Sequence, residues 1–270
     1  MSTKEIEIDV VRGEDVDEKR SEMSRFFEMI EPRMNTLRKY PELCKKWNLD
    51  GTHTSLTFKM TSRWNDDDTE KFVVDFFNDK EVRKHFQVAA TKGRTSLLGN
   101  AKSATFEKLR TNVTNMKFFD RLRDVDIVAK SGYIRKCMEE DFEGVAAGDK
   151  LRRMLVDEDD EEYCLYDDEE KQELIFHIFK RLVIGGSMCQ WEDEIKEYEK
   201  LTKEIYRELL TVHKSQSTGG VEISTIALNI KDIEGLSIFP NESEHNFCYL
   251  CVDSIQSQVT VWYGAFVPYW

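Results

Sequence analysis

Apolar residues along this chain recur mostly at steps of three and four, the helix repeat. From Glu18, the positions Met23, Phe26, Phe27, Ile30, Met34 and Leu37 share such a stripe and predict a helix that Pro32 kinks or splits. Pro41 suits the first turn of a short helix carrying Leu43, Cys44 and Trp47, and Asn48 to Gly51 reads as a turn. The run Asp66-Asp67-Asp68-Thr69 is placed to cap a helix bearing Phe72, Val73, Phe76 and Phe77. Asn115 opens a helix through Leu122, and Asp126 starts another on which Ile127, Val128, Ile134 and Met138 fall. Asp149 caps a third, with Leu151, Met154 and Leu155. From Asp168 a strong helix puts Ile175, Ile178, Phe179, Leu182 and Val183 on one face. Gly185 is expected to end it in the left-handed conformation of a C-terminal cap. Gln190 to Val212 predicts the longest helix, with Trp191, Ile195, Tyr198, Leu201, Ile205 and Leu209 on its stripe. Two amphipathic helices joined by Gly185-Gly186 make an antiparallel hairpin or a sharp corner.

Elsewhere the period falls to two, as in strands. Ser55 to Met60, Gln87 to Thr91, Thr105 to Val113, Val221 to Lys231, Phe247 to Val252 and Val259 to Tyr263 read this way, whereas Gly93 to Ser103 and Ser215 to Gly220 read as loops. Strands joined by turns imply antiparallel pairing. The fold class is therefore α+β: a helical middle region with an amphipathic helix hairpin, and a mostly antiparallel sheet that includes the C-terminal strands. Residues 1–17 read as an acidic, disordered tail and residues 18–270 as a single α+β domain, with the aromatic end Tyr263 to Trp270 folding back on the sheet.

Charge narrows the partners. The chain has 52 acidic against 39 basic residues, a net charge of −13, which opposes the counterion release that drives nucleic-acid binding. It equally disfavours an anionic membrane surface, and the longest apolar run, about Phe247 to Val252, is far short of a membrane span. Scattered cysteines in a chain of this size point to reduced thiols and a cytoplasmic setting. Residues 156–170 hold a dense acidic run that repels itself and is expected to be an exposed loop. Within it Glu158, Asp159, Asp160, Glu161 and Glu162 are the candidate docking strip for a basic partner, an interaction that salt would screen.

Chemistry is harder to find. Gly185-Gly186-Ser187 follows a helix and lacks the lysine of a phosphate cradle. His245, Cys248 and Cys251 form the one metal-like spacing, but zinc wants four ligands, and on one strand Cys248 and Cys251 would face opposite sides. The five histidines are dispersed, His177 reads as a helix residue at the core edge, and no nucleophile elbow is present. The residues nominate no catalytic, cofactor-binding or metal site.

The stretch Phe118-Phe119-x-Arg121-Leu122-x-Asp124-x-Asp126-Ile127-Val128 is distinctive as a pattern, with Gly132, Ile134, Lys136 and Cys137 behind it. It continues in Leu151-Arg152-Arg153 and in Phe179-Lys180-x-Leu182-x-x-Gly185-Gly186-x-x-Cys189-Gln190-x-Glu192-Asp193. In these residues the chain resembles the cilia- and flagella-associated protein 300 family, from about Tyr40 to Tyr263, with the first forty residues and the aromatic end particular to this sequence. The resemblance implies a non-enzymatic role in assembling or transporting the outer and inner dynein arms of the axoneme, in cytoplasm and cilium, and so in motility. The implied partners are other cytoplasmic dynein axonemal assembly factors, dynein subunits or intraflagellar transport. The rival readings are a structural component of the axoneme, and an enzyme with a dispersed site.

Overall fold

The structure, a computed structural model, describes residues 27–61, 64–90, 93–214 and 221–267. The expected tail 1–17, the start of the first expected helix, the Ser215–Gly220 break and the last three residues lie outside the described residues. Along the chain run β1 (Phe27–Ile30), α1 (Thr36–Lys39), α2 (Pro41–Lys46), β2 (His53–Met60), α3 (Thr69–Asn78), α4 (Lys80–His85), β3 (Gln87–Ala90), β4 (Gly93–Ser96) and β5 (Gly99–Leu109). The middle holds α5 (Arg121–Asp124), β6 (Lys136–Phe142), β7 (Val145–Asp149), α6 (Lys150–Val156), α7 (Asp168–Lys171), α8 (Leu174–Ile184) and α9 (Lys196–Leu209). The end holds β8 (Val212–Lys214), β9 (Val221–Ile223), β10 (Thr225–Leu236), β11 (Phe247–Asp253) and β12 (Gln258–Gly264).

The main sheet has the order β1-β2-β12-β11-β10-β5, and each of its pairs is antiparallel. The late strands pair with the early ones, β12 with β2 and β10 with β5. Helices cover both faces. Phe247, Tyr249 and Cys251 of β11 join one core with Trp47, Leu151, Ile178, Phe179, Leu201 and Ile205. Cys248, Leu250 and Val252 of the same strand join the other, with Phe58, Phe72, Phe76, Phe77 and Val261. A strand covered on both faces needs no polar side, which is why Phe247 to Val252 is continuously apolar.

Four expectations about local structure are corrected. Residues 27–30 form an edge strand, not a helix: Phe27 pairs with Met60 and Ile30 with Thr57, and the Phe27 ring stands edge-on to Phe72 at 5.8 Å and Phe76 at 5.2 Å. Residues 93–103 are largely strand, β4 and the start of β5. The glycine that suggested a loop serves close approach: a Cβ on Gly99 would stand 2.2 Å from the Gly235 carbonyl oxygen, where β5 meets β10. The helix expected from Asp126 is a turn, with φ +55° at Asp126 and a bridge between Val128 and Ile134, followed by β6. Finally α9 begins at Lys196 rather than Gln190, so the helices α8 and α9 pack together but are joined by residues 185–195 rather than by a glycine pair.

Capping follows chemistry more closely. The Asp149 side chain accepts from Arg152 N at 2.9 Å and opens α6 as expected. The Asp66–Asp68 run makes a 3₁₀ turn instead, and the cap there is Asn65, which accepts from Asp67 N at 3.3 Å.

Candidate functional site

The glycine joint is a clasp. Gly185 has φ +66° and ψ −153°, a region open essentially to glycine alone and different from the left-handed helical cap expected. Gly186 N–H donates to Trp47 O at 2.8 Å, Gln190 N–H to Lys46 O at 2.7 Å, and Met188 N–H to Asn48 Oδ1 at 3.2 Å. The loop after α8 thus lies directly on the end of α2. Both glycines are required by proximity: a Cβ on Gly185 would meet Cys189 Sγ at 2.6 Å and Trp47 O at 2.7 Å, and one on Gly186 would meet Asn48 O at 2.3 Å. From the other side, the His245 ring donates Nδ1–H to Gly185 O at 2.9 Å.

The residues that follow continue the lock. Glu192 accepts from Lys46 Nζ at 2.8 Å and Trp47 Nε1 at 3.0 Å, while its own N–H donates to Tyr198 Oη at 3.1 Å. Tyr198 Oη also accepts from Arg152 Nη2 at 2.8 Å. Arg152 is fully buried, paired with the equally buried Asp149, and its guanidinium lies 4.6 Å from the Trp191 ring centroid. Trp191 in turn lies over Gly148, where a Cβ would come within 2.5 Å of the indole.

The Phe118 stretch docks onto this same connector. Phe119, Leu122, Ile127, Val128 and Ile134 are wholly buried, and the Phe119 ring lies 4.3 Å from that of Phe179. Arg121 makes a two-pronged pair with Glu170 at 2.7 and 2.6 Å, and Asp126 Oδ1 accepts from Arg135 Nε at 3.1 Å. Ile134 N–H donates to Asp193 O at 2.8 Å, Ile195 N–H to Gly132 O at 3.0 Å, and Lys136 pairs with Asp193 at 2.8 Å. The two distant halves of the sequence pattern are therefore bonded to each other. Nothing in the structure explains the exposed Asp124.

The acidic segment is more ordered than its charge implies. Asp157 is buried, contrary to the expectation that the run is unpacked, because Arg153 lies between its carboxylate at 3.0 Å and that of Asp160 at 3.2 Å. Asp160 also accepts from Glu162 N at 3.0 Å, and this neighbouring carboxylate raises the Glu162 pKa. Of the five candidate docking residues, Glu158, Asp159 and Glu161 are exposed, whereas Asp160 and Glu162 are half-buried.

Cys248 and Cys251 lie in different cores, on opposite faces of β11. Burial pushes both thiols up, Cys251 to about 12. Among the described residues no cluster of three or more His, Cys, Asp or Glu side chains is placed to hold a metal ion, and no helix is long and apolar enough to cross a membrane. His177 sits at the edge of the core as expected, its Nδ1 3.2 Å from Tyr249 Oη. Burial, with Arg181 beside it, holds the His177 pKa down at about 3. His53 is held at about 3 in the same way, by burial and then by Arg94, and its ring stands edge-on to Phe247 at 5.0 Å. Sequence reasoning missed the buried Arg152–Asp149 pair. The signal was present, since Arg152 lies between the apolar positions Leu151 and Met154–Leu155 on a short helix.

The fold and this clasp define a two-sided α+β scaffold whose recognisable residues hold its own layers together. The sequence profile of the cilia- and flagella-associated protein 300 family matches residues 24–264, and the chain belongs to that family. A relative of that name from Chlamydomonas reinhardtii is 32% identical over 232 residues, 83% of this chain and 90% of that protein. One from Paramecium tetraurelia is 32% identical over 216 residues, 80% of this chain and 83% of the relative. The match at residue 24 corrects the expectation that the first forty residues stand outside the family. No solved structure matches the chain. The family is one of cilium- and flagellum-associated proteins and is not a known enzyme family.

Proposed function

We propose that this chain is a non-enzymatic factor for assembling and transporting the outer and inner dynein arms of the axoneme, working in the cytoplasm and reaching the cilium. Family membership carries the reading, and the use made of the family pattern supports it. Its glycines, its arginines and Glu192 meet other parts of the same chain, which leaves the surface as the means of action. The partners proposed are other dynein axonemal assembly factors, with dynein subunits or intraflagellar transport downstream. Glu158, Asp159 and Glu161 are the outward part of the proposed docking strip, with Asp160 and Glu162 fixing its shape.

Clean removal of the protein from a ciliated cell tests this. Cilia should remain but beat poorly, and electron micrographs of cross-sections should lack dynein arms. Normal arms would sink the proposal. Fractionation separates the structural rival, because an assembly factor stays largely soluble whereas a fixed component remains with salt-washed axonemes.

A further inference from the structure

Helix α9 presents two rows of side chains. Tyr198, Leu201, Ile205 and Leu209 are buried in the core. A neighbouring row, Lys203, Tyr206, Arg207 and Leu210, steps by three and four and forms one wall of an open groove of about 970 Å³. Val113 to Met116 make the opposite wall, and the hairpin of β8 and β9 closes one side with Val212 and Ile223. The Tyr206 hydroxyl donates to Val113 O at 2.8 Å, which ties the two walls together. The apolar surface is only partly covered: Val113, Met116 and Ile223 are half-buried and Val212 is 59% exposed.

Among the described residues the rim carries charge of a single sign. Lys203 and Arg207 are the charged side chains lining the groove, both are exposed, and neither is paired with a carboxylate among the described residues. Elsewhere among the described residues some exposed cations have such a partner, as Lys108 does in Asp66 and Lys136 in Asp193, and others, such as Lys45, Lys59 and Lys117, have none. Lys203 and Arg207 differ from these in lining an apolar groove. An apolar floor with an unpaired basic rim is complementary to a segment that is apolar on one side and acidic on the other. A helical segment satisfies its own backbone hydrogen bonds and so suits walls that offer side chains.

We propose that this groove receives an acidic amphipathic helix of a partner protein, its apolar side chains against Val113, Met116, Val212 and Ile223 and its carboxylates on Lys203 and Arg207. The proposal rests on the reading of the chain as a binding protein, but it concerns a surface separate from the acidic strip and does not depend on dynein arms.

The test places the photo-crosslinking residue p-benzoylphenylalanine at Val212 and, in a second variant, at Thr114 on the facing wall, in the full chain expressed in ciliating cells. A third variant carries it at Leu98, which is 78% exposed and follows Leu97 of the other core in the chain, as the control. Thermal melting checks that each variant folds. Mass spectrometry should find, at Val212 or Thr114 but not at Leu98, a segment of another protein with apolar residues at three- and four-residue steps between Asp and Glu. Lys203→Glu with Arg207→Glu should cut that product at least tenfold without lowering the melting temperature. The proposal is overturned if the product is this chain's own first 26 residues, a second copy or a segment without acidic residues. It is equally overturned if no product exceeds the Leu98 control, or if charge reversal leaves the yield unchanged. Normal dynein arms after removal of the protein would defeat the proposed function and leave this crosslink standing, so the two failures are distinct.

Discussion

Gly186 lies so close to Asn48 that a Cβ on the glycine would stand 2.3 Å from the Asn48 carbonyl oxygen. That contact is backbone against backbone, and no rotation of a side chain relieves it. Gly186→Ala should therefore cost about 1–3 kcal/mol, as overpacking does elsewhere. Gly185→Ala should cost at least as much, because the new Cβ also meets Trp47 O at 2.7 Å and the backbone there has φ +66°. Urea midpoints check both, and an unchanged midpoint for Gly186→Ala would mean that the loop does not rest on α2.

Arg152 and Asp149 give a second prediction. Both side chains are fully buried, so Arg152→Ala leaves a carboxylate without its partner and should destabilise by about 3–5 kcal/mol. Replacing both, as Arg152→Met with Asp149→Asn, should cost less than Arg152→Ala, since no buried charge is left and asparagine still caps α6. A double replacement no more stable than the single one would show that the pair's charge is not what matters.

His177 makes stability depend on pH. Its folded pKa of about 3 lies below the usual value of 6.5, so between these limits the unfolded chain binds a proton that the folded chain does not. Stability from this group is present above pH 6.5 and is lost as pH falls towards 3, by up to about 1.4 kcal/mol per pH unit. His177→Gln can keep a polar contact to Tyr249 without titrating. Its unfolding free energy should fall less steeply than wild type from pH 6.5 to 4, and parallel curves would refute the assignment.

Thiol reactivity should rank the cysteines by burial. Cys164 is exposed, whereas Cys44, Cys248 and Cys251 are buried and burial pushes Cys44 to about 11. Brief alkylation of the native protein at pH 8 should label Cys164 first and Cys248 and Cys251 only on unfolding. A chelator should leave the melting temperature unchanged, and a drop on chelation would restore the zinc reading of His245, Cys248 and Cys251.

The acidic segment divides into two kinds of residue. Glu158→Lys, Asp159→Lys and Glu161→Lys together change exposed positions, so stability should move by no more than about 0.5 kcal/mol for each. Asp157→Ala removes a buried carboxylate held by Arg153 and should cost more, about 1–3 kcal/mol. If the strip docks a basic partner, co-precipitation of assembly factors should fall with the triple reversal and with added salt.

Much of the fold could be read from local signals. The C-terminal strands were visible as β-rich runs between polar turns, although the period of two read in them does not describe their burial. Ala227 to Ile230 of β10 and the whole of β11 are buried, because helices cover both faces of the sheet. Pro41 and Asp149 marked helix starts because a fixed φ and a short side-chain oxygen act within one turn. Residues 27–30 were misread because their three- and four-residue spacing fits a helix, while the pairing of Phe27–Ile30 with residues 57–60 is a long-range contact with no local trace. The candidate docking strip was visible as charge alone, but which of its carboxylates face solvent depends on Arg153, which the folded chain brings between Asp157 and Asp160.

By itself, then, the sequence determined the α+β class, the segments with strong period or caps, and the family, because propensity, capping and residue pattern act over a few neighbours. Only the tertiary structure decided why Gly185 and Gly186 are glycines, that Arg152 and Asp149 are a buried pair, and that Lys203 and Arg207 rim an apolar groove. Each of these depends on residues far apart in the chain coming within a few ångströms, and that distance is set by the packing of whole layers.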